Sequence, residues 1–104
     1  MKKGTIHLIP FPFTDLSQKK IRPCLVLARD RTDSTVVFIT SIKPKGSEWI
    51  KIIPSKENGI KSISYIRYTK IATLDSALSI GSIGELEPVM FHEVKKKIRA
   101  FLEV

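Results

Sequence analysis

The chain changes its hydrophobic period once, at Pro88, and that single change constrains the fold more than any other feature. Up to Leu86 the apolar residues come in short runs rich in β-branched and aromatic side chains, each broken by Pro, Gly, Asn or Asp. That is the pattern of closely spaced strands. From Pro88 onward Phe91, Val94, Ile98, Phe101 and Leu102 fall at helical spacing, with Lys95, Lys96, Lys97 and Arg99 largely on the other faces. Short strands followed by one amphipathic helix imply a small, strongly curved antiparallel sheet capped by that helix. An SH3-like barrel, mainly β with helical additions, is the expected architecture.

The strands are read as follows. Thr5 to Ile9 alternates and should be half-buried, with Ile6 and Leu8 on one face, and Pro10 and Pro12 are expected to end it. Pro23 to Ala28 is continuously apolar and should be buried on both faces; Thr35 to Thr40 should pair with it through a turn at residues 30–34. Trp49 to Ile53 reads as a fourth strand, ended by Pro54 and an Asn58-Gly59 turn that favours positive φ. Ser64 to Tyr68 and Lys70 to Thr73 form a bent or bulged fifth strand, Leu74 to Leu78 one helical turn, and Ser82 to Leu86 a short sixth strand. Pro88 suits the first turn of the terminal helix, and the cations in its second half complement the helix dipole, so the lysine run has a structural explanation.

With 104 residues, 42% of them hydrophobic, the chain should form one domain over residues 1–104 around one core. No apolar run approaches the ~20 residues needed to span a bilayer, and no signal-peptide pattern opens the sequence, so a cytoplasmic protein with no membrane partner is expected. The single cysteine, Cys24, lies in an apolar run and reads as a core residue. No Cys/His cluster has metal-ligand spacing, and the glycine-rich phosphate loops and the nucleophile elbow are absent, so no metal or other cofactor is expected.

Net charge is +8, and it is uneven: residues 1–52 carry 10 Lys/Arg against 4 Asp/Glu, residues 53–104 carry 8 against 6. Such an excess suits a polyanion-binding surface, nucleic acid or an acidic peptide. It centres on Lys19, Lys20 and Arg22, beside the long loop Phe11 to Ile21. If the second and third strands pair as a hairpin, Arg22 and Thr40 meet at one end of the sheet. A guanidinium there can pair with phosphate oxygens and a threonine hydroxyl can donate to the same group. From the residues alone the plainer reading also stands, in which Arg22 is a solvated residue held extended by Pro23 and Thr40 serves strand propensity. The two histidines, His7 and His92, read as structural or surface residues, since nothing in the sequence brings them together as an acid/base pair.

The series Gly4-Thr5-Ile6-His7-Leu8-Ile9-Pro10-Phe11-Pro12-Phe13-Thr14-Asp15-Leu16, then Lys20-Ile21-Arg22-Pro23-Cys24-Leu25-Val26-Leu27, then Phe38-Ile39-Thr40-Ser41, resembles the PemK/MazF-like toxins of bacterial type II toxin–antitoxin systems. Asn58 to Ser64, Ile71 to Asp75 and Ile83 to Leu86 continue the likeness, which covers nearly the whole chain. The resemblance implies a PemK/MazF/CcdB-like barrel, a homodimer, and sequence-selective, metal-independent cleavage of single-stranded RNA such as mRNA. It carries the family's catalytic arginine onto Arg22 and its catalytic threonine onto Thr40. It also makes Phe13, Thr14, Gln18, Lys19 and Lys20 in the loop after the first strand, and Ser41 and Lys43 after the third, the candidate RNA-binding residues. Asp15 and His7 are possible helpers, although each reads more simply as a turn residue and a strand residue.

Metal-free cleavage would proceed by attack of the substrate's 2′-OH on the adjacent phosphorus, leaving a 2′,3′-cyclic phosphate and a 5′-OH. Arginine, with a pKa above about 12, stays protonated and does not readily accept a proton, so the general base is not identified by these residues. The expected partners are single-stranded RNA and a cognate antitoxin with an acidic segment. The rival readings are a non-catalytic toxin on the same fold that inhibits DNA gyrase, and a protein that only binds RNA or antitoxin.

Overall fold

The computed structural model describes residues 1–11, with Phe11 as backbone only, and residues 20–103. The elements run β1 (Thr5–Phe11), β2 (Lys20–Asp30), β3 (Asp33–Thr40), β4 (Ile50–Ile52), β5 (Ser64–Asp75), a 3-10 turn (Ser76–Leu78), β6 (Gly81–Glu85) and α1 (Pro88–Leu102). All pairings are antiparallel, in the order β4-β5-β3-β2-β1-β6. The sheet curls into a half-barrel whose concave face is filled by Ile6, Leu25, Val37, Ile39, Ile52, Ile60 and Ile66, with Val94 and Ile98 of α1 packed into it. Ile9, Cys24, Val26 and Val36 form a second apolar cluster on the opposite face. Three consecutive buried residues in β2, Cys24 to Val26, match the expected two-sided burial.

Two prolines fall differently from expectation. Pro10 does not end β1, which continues to Phe11 with Pro10 opposite Ile21. Leu8 turns its carbonyl away from β2 to accept from the Ile80 N–H at 2.9 Å. Pro10, two residues on, has the same orientation, so its missing N–H falls on the open side beyond the last β6 partner of β1. Pro23 pairs with Leu8, and by the same alternation its nitrogen faces β3. There the β2–β3 ladder stops, at Cys24 opposite Phe38.

The hairpin turn is tighter than read from sequence. β2 runs to Asp30 and β3 starts at Asp33, leaving Arg31 and Thr32 as a two-residue loop with Arg31 at φ 55°. β5 is one bulged strand: the register with β3 jumps between Val37 and Phe38, whose partners are Ile71 and Arg67. The helix begins with Pro88 as expected. Its last turn differs: Phe101 and Leu102 continue the apolar stripe but are exposed and lie outside the core. No helix among the described residues is long and apolar enough to cross a membrane.

Candidate functional site

Where the β2–β3 ladder ends at Pro23, the two strands frame a cleft of about 580 Å³. One wall is Arg22, Pro23, Lys20 and Ile21; the floor is Ile39 and Thr40, continuing into Ser41 and Ile42; the far wall is Gly59, Ile60, Lys61 and Ser62. Cys24 and Phe38 are the last opposed pair of the ladder, and two residues beyond them on each strand Arg22 and Thr40 line the same cleft. The arginine and threonine that were 18 positions apart in sequence thus share one recess.

Each of the two side chains has an unused donor. The Nε of Arg22 is buried and has no hydrogen-bond partner. A buried donor without a partner is costly, and a ligand oxygen would satisfy it. Thr40 Oγ1 accepts the Ile42 N–H at 3.1 Å, which fixes the side chain and occupies an acceptor position. Its own O–H therefore remains to donate into the cleft. With Lys20, Arg22 and Lys61 on its walls and no Asp, Glu or His among its described lining residues, the recess is electropositive.

The far wall is held by close main-chain contact. Asn58 is buried and its side chain is saturated: Oδ1 accepts from the Ser55 and Ile60 N–H groups, and Nδ2 donates to the Ile53 carbonyl and Glu87 Oε1. Gly59 follows at φ 68°, and a Cβ there would stand 2.0 Å from the Ile83 carbonyl oxygen. Gly84 meets the same turn from the other side, where a Cβ would lie 2.3 Å from the Glu57 carbonyl oxygen. The expected Asn-Gly turn is thus also a clamp on β6, which its turn chemistry alone did not disclose.

The remaining candidates separate. Lys20 and Ser41 line the cleft beside Arg22 and Thr40. Lys43 does not line it; its Nζ lies 5.4 Å from the centre of the Trp49 ring, which itself packs edge-on against Tyr65 at 5.1 Å. Phe13, Thr14, Gln18 and Lys19, with Asp15, lie outside the described residues. His7 is not in the cleft. Its Nδ1 is 2.6 Å from Ser79 Oγ and its Nε2 3.1 Å from Thr5 Oγ1, and burial and the nearby amino terminus lower its pKa. Cys24 is fully buried and its thiol is pushed up to about 12 by desolvation, as a core residue. Among the described residues no three His, Cys, Asp or Glu side chains gather as a metal site. The far-wall residues Ile60, Lys61 and Ser62 escaped sequence reasoning, although the glycine turn before them was visible.

No characterised protein matches the sequence significantly. Solved structures do match in fold. A mycobacterial endoribonuclease in complex with its cognate antitoxin superposes with a TM-score of 0.77 at 15% identity, covering 100% of this chain and 98% of that one. The toxin MazF-mt6 of Mycobacterium tuberculosis gives 0.73 at 22% identity, covering 93% and 95%. MazF in a MazE–MazF crystal from Deinococcus radiodurans gives 0.77 at 17%, covering 98% and 95%. At these identities the likeness is one of fold, but the profile of the PemK-like, MazF-like toxins matches residues 2–102 of the sequence itself. With that match over nearly all of its length, the chain belongs to the PemK-like, MazF-like toxin family of type II toxin–antitoxin systems.

Proposed function

We propose that the protein is an endoribonuclease toxin that cleaves single-stranded RNA without a metal ion, using Arg22 and Thr40. The observation that carries this reading is the buried, unpartnered Nε of Arg22 in the same recess as Thr40, whose hydroxyl proton is left free by the Ile42 N–H. In the reaction the substrate's 2′-oxygen forms a bond to phosphorus while the bond from phosphorus to the 5′-oxygen breaks. The products are a 2′,3′-cyclic phosphate and a 5′-OH, a route open only to RNA. Charge accumulates on the non-bridging oxygens, and fixed donors aimed at it stabilise the transition state more than the ground state. Arg22 supplies those donors, and Thr40 orients the scissile phosphate. Lys20 and Lys61 draw the polyanion into the cleft, and Ser41 adds a hydroxyl on its floor.

None of the described residues lining the cleft can accept the 2′-OH proton as a carboxylate or imidazole would. Charge stabilisation therefore carries most of the rate, while solvent takes the 2′-OH proton and returns one to the departing 5′-oxygen. The cellular setting belongs to the same proposal: a cytoplasmic homodimer, held inactive by a cognate antitoxin whose acidic segment occupies the cleft. The solved relatives support the antitoxin, since two of them are complexes with one.

The decisive experiment incubates purified protein with defined single-stranded RNA in chelator and maps the ends formed. Fragments with 2′,3′-cyclic phosphate and 5′-OH ends, absent with Arg22→Gln, are expected. A strict divalent-ion requirement, or undiminished cleavage by Arg22→Gln and Thr40→Ala, would refute the mechanism. Affinity for RNA with no fragments would favour a binding protein instead.

A further inference from the structure

A second recess adjoins the first, on the other side of Thr40. It measures about 400 Å³ and is lined by Thr40, Ile42, Pro44, Lys45 and Arg67. Arg67 lies on β5 opposite Phe38 and is half-buried, yet its side chain has neither a hydrogen bond nor an ion pair among the described residues. A half-buried guanidinium without an acceptor has lost part of its hydration and gained nothing in exchange. The nearest acidic candidate is Glu48, which lines a smaller outer recess together with Arg67, Lys45 and Lys70 but forms no ion pair with them. The local balance is therefore positive even with Glu48 counted.

Register sets the distance between the two recesses. Thr40 pairs with Tyr65 and Phe38 with Arg67, so Thr40 and Arg67 are diagonal neighbours on one sheet face. Such neighbours are about 7–8 Å apart. Backbone spacing of this order lets side chains from the two positions reach successive phosphates of an extended single strand. Thr40 and Ile42 line both recesses, so a strand passing them has Arg22 on one side and Arg67 on the other.

We propose that Arg67 and Lys45 form a second phosphate subsite, which takes the backbone phosphate next to the one held between Arg22 and Thr40. The proposal rests on the reading of the first recess as an RNA cleft. Arg67 is then a binding residue: it holds the neighbouring phosphate and makes no contact with the reacting atoms.

The test uses a mixed-sequence single-stranded DNA, which binds through phosphates but has no 2′-OH to react. Its affinity is measured over a salt series for the wild type, Arg67→Gln, Arg67→Lys and Lys45→Gln. Each phosphate contact to a single strand contributes about 0.7 to the slope of log affinity against log salt, so Arg67→Gln should flatten the slope by about that amount. Arg67→Lys, which keeps the charge, should restore most of it and shows that the effect is not misfolding. On RNA, Arg67→Gln should raise KM about tenfold, the loss of one charged contact, with kcat nearly unchanged. A wild-type slope and KM in Arg67→Gln overturns the subsite, as does a variant that loses affinity only for an acidic peptide. A wild type that cuts no RNA refutes the nuclease reading, while the DNA slopes still decide whether Arg67 holds a phosphate.

Discussion

Arg22 and Thr40 line one cleft just beyond the end of the β2–β3 ladder, which stops at Pro23. The same proline that removes one hydrogen bond lets the strands part and leaves both side chains unblocked. Replacing Arg22 with Gln should lower kcat by ~10²–10³-fold, the range for one oxyanion-type donor, with the cleft otherwise intact. Thr40→Ala should cost ~10-fold or more, and Thr40→Ser should recover most of the activity because the donating hydroxyl is retained. Steady-state cleavage of a single RNA substrate checks all three.

The Gly59–Ile83 contact predicts a large stability effect. In Gly59→Ala a Cβ must enter a space 2.0 Å from a carbonyl oxygen, at φ 68°. Neither neighbour is a flexible side chain, so the turn must lift off β6. We expect a loss of about 3 kcal/mol or more in urea unfolding, and a weaker KM for RNA from displacement of the far wall. Gly84→Ala should behave alike, since its Cβ would meet the Glu57 carbonyl at 2.3 Å.

His7 makes stability pH-dependent. Thr5 Oγ1 donates its proton to the Lys2 carbonyl, so it accepts from His7 Nε2–H, and Ser79 must then donate to Nδ1. The neutral ring satisfies that chain, and burial and the nearby amino terminus disfavour the charged one. The folded pKa lies below the unfolded value near 6.5, so the unfolded state takes up the proton first. Stability should be constant above about pH 7 and fall as pH drops through 6.5. Chemical unfolding of the wild type and His7→Gln across that window should show the slope only in the wild type.

Cys24 should resist alkylation. Its buried thiol, with a pKa near 12, holds almost no thiolate at pH 8. Iodoacetamide should label it only after denaturant is added, at a rate set by unfolding; mass spectrometry of the native protein should find it unmodified. Rapid labelling of the folded protein would place the residue at the surface instead.

Much of this architecture was legible because strand and helix periods differ so sharply on either side of Pro88. Every strand, the bulge in β5 and the helix start were readable from residue type. The errors came where tertiary position decides. Pro10 looked like a terminator, but a proline stops a ladder only on the side its nitrogen faces, and β6 does not reach that far. Phe101 and Leu102 follow the apolar stripe, yet burial needs a sheet beneath them. Arg22 and Thr40 could be paired from the hairpin reading, whereas Arg67 could not. Its place beside Thr40 depends on the bulge that shifts the β3–β5 register, and a bulge's offset is not written in local sequence.

The glycine clamp separates two properties that a nuclease of this size must otherwise carry together. Gly59 and Gly84 press main chain against main chain, so the seat of the far wall on β6 rests on backbone contact rather than on side-chain packing. The side chains carried on that wall, Lys61 and Ser62 among them, can thus change while the backbone that bears them stays in place.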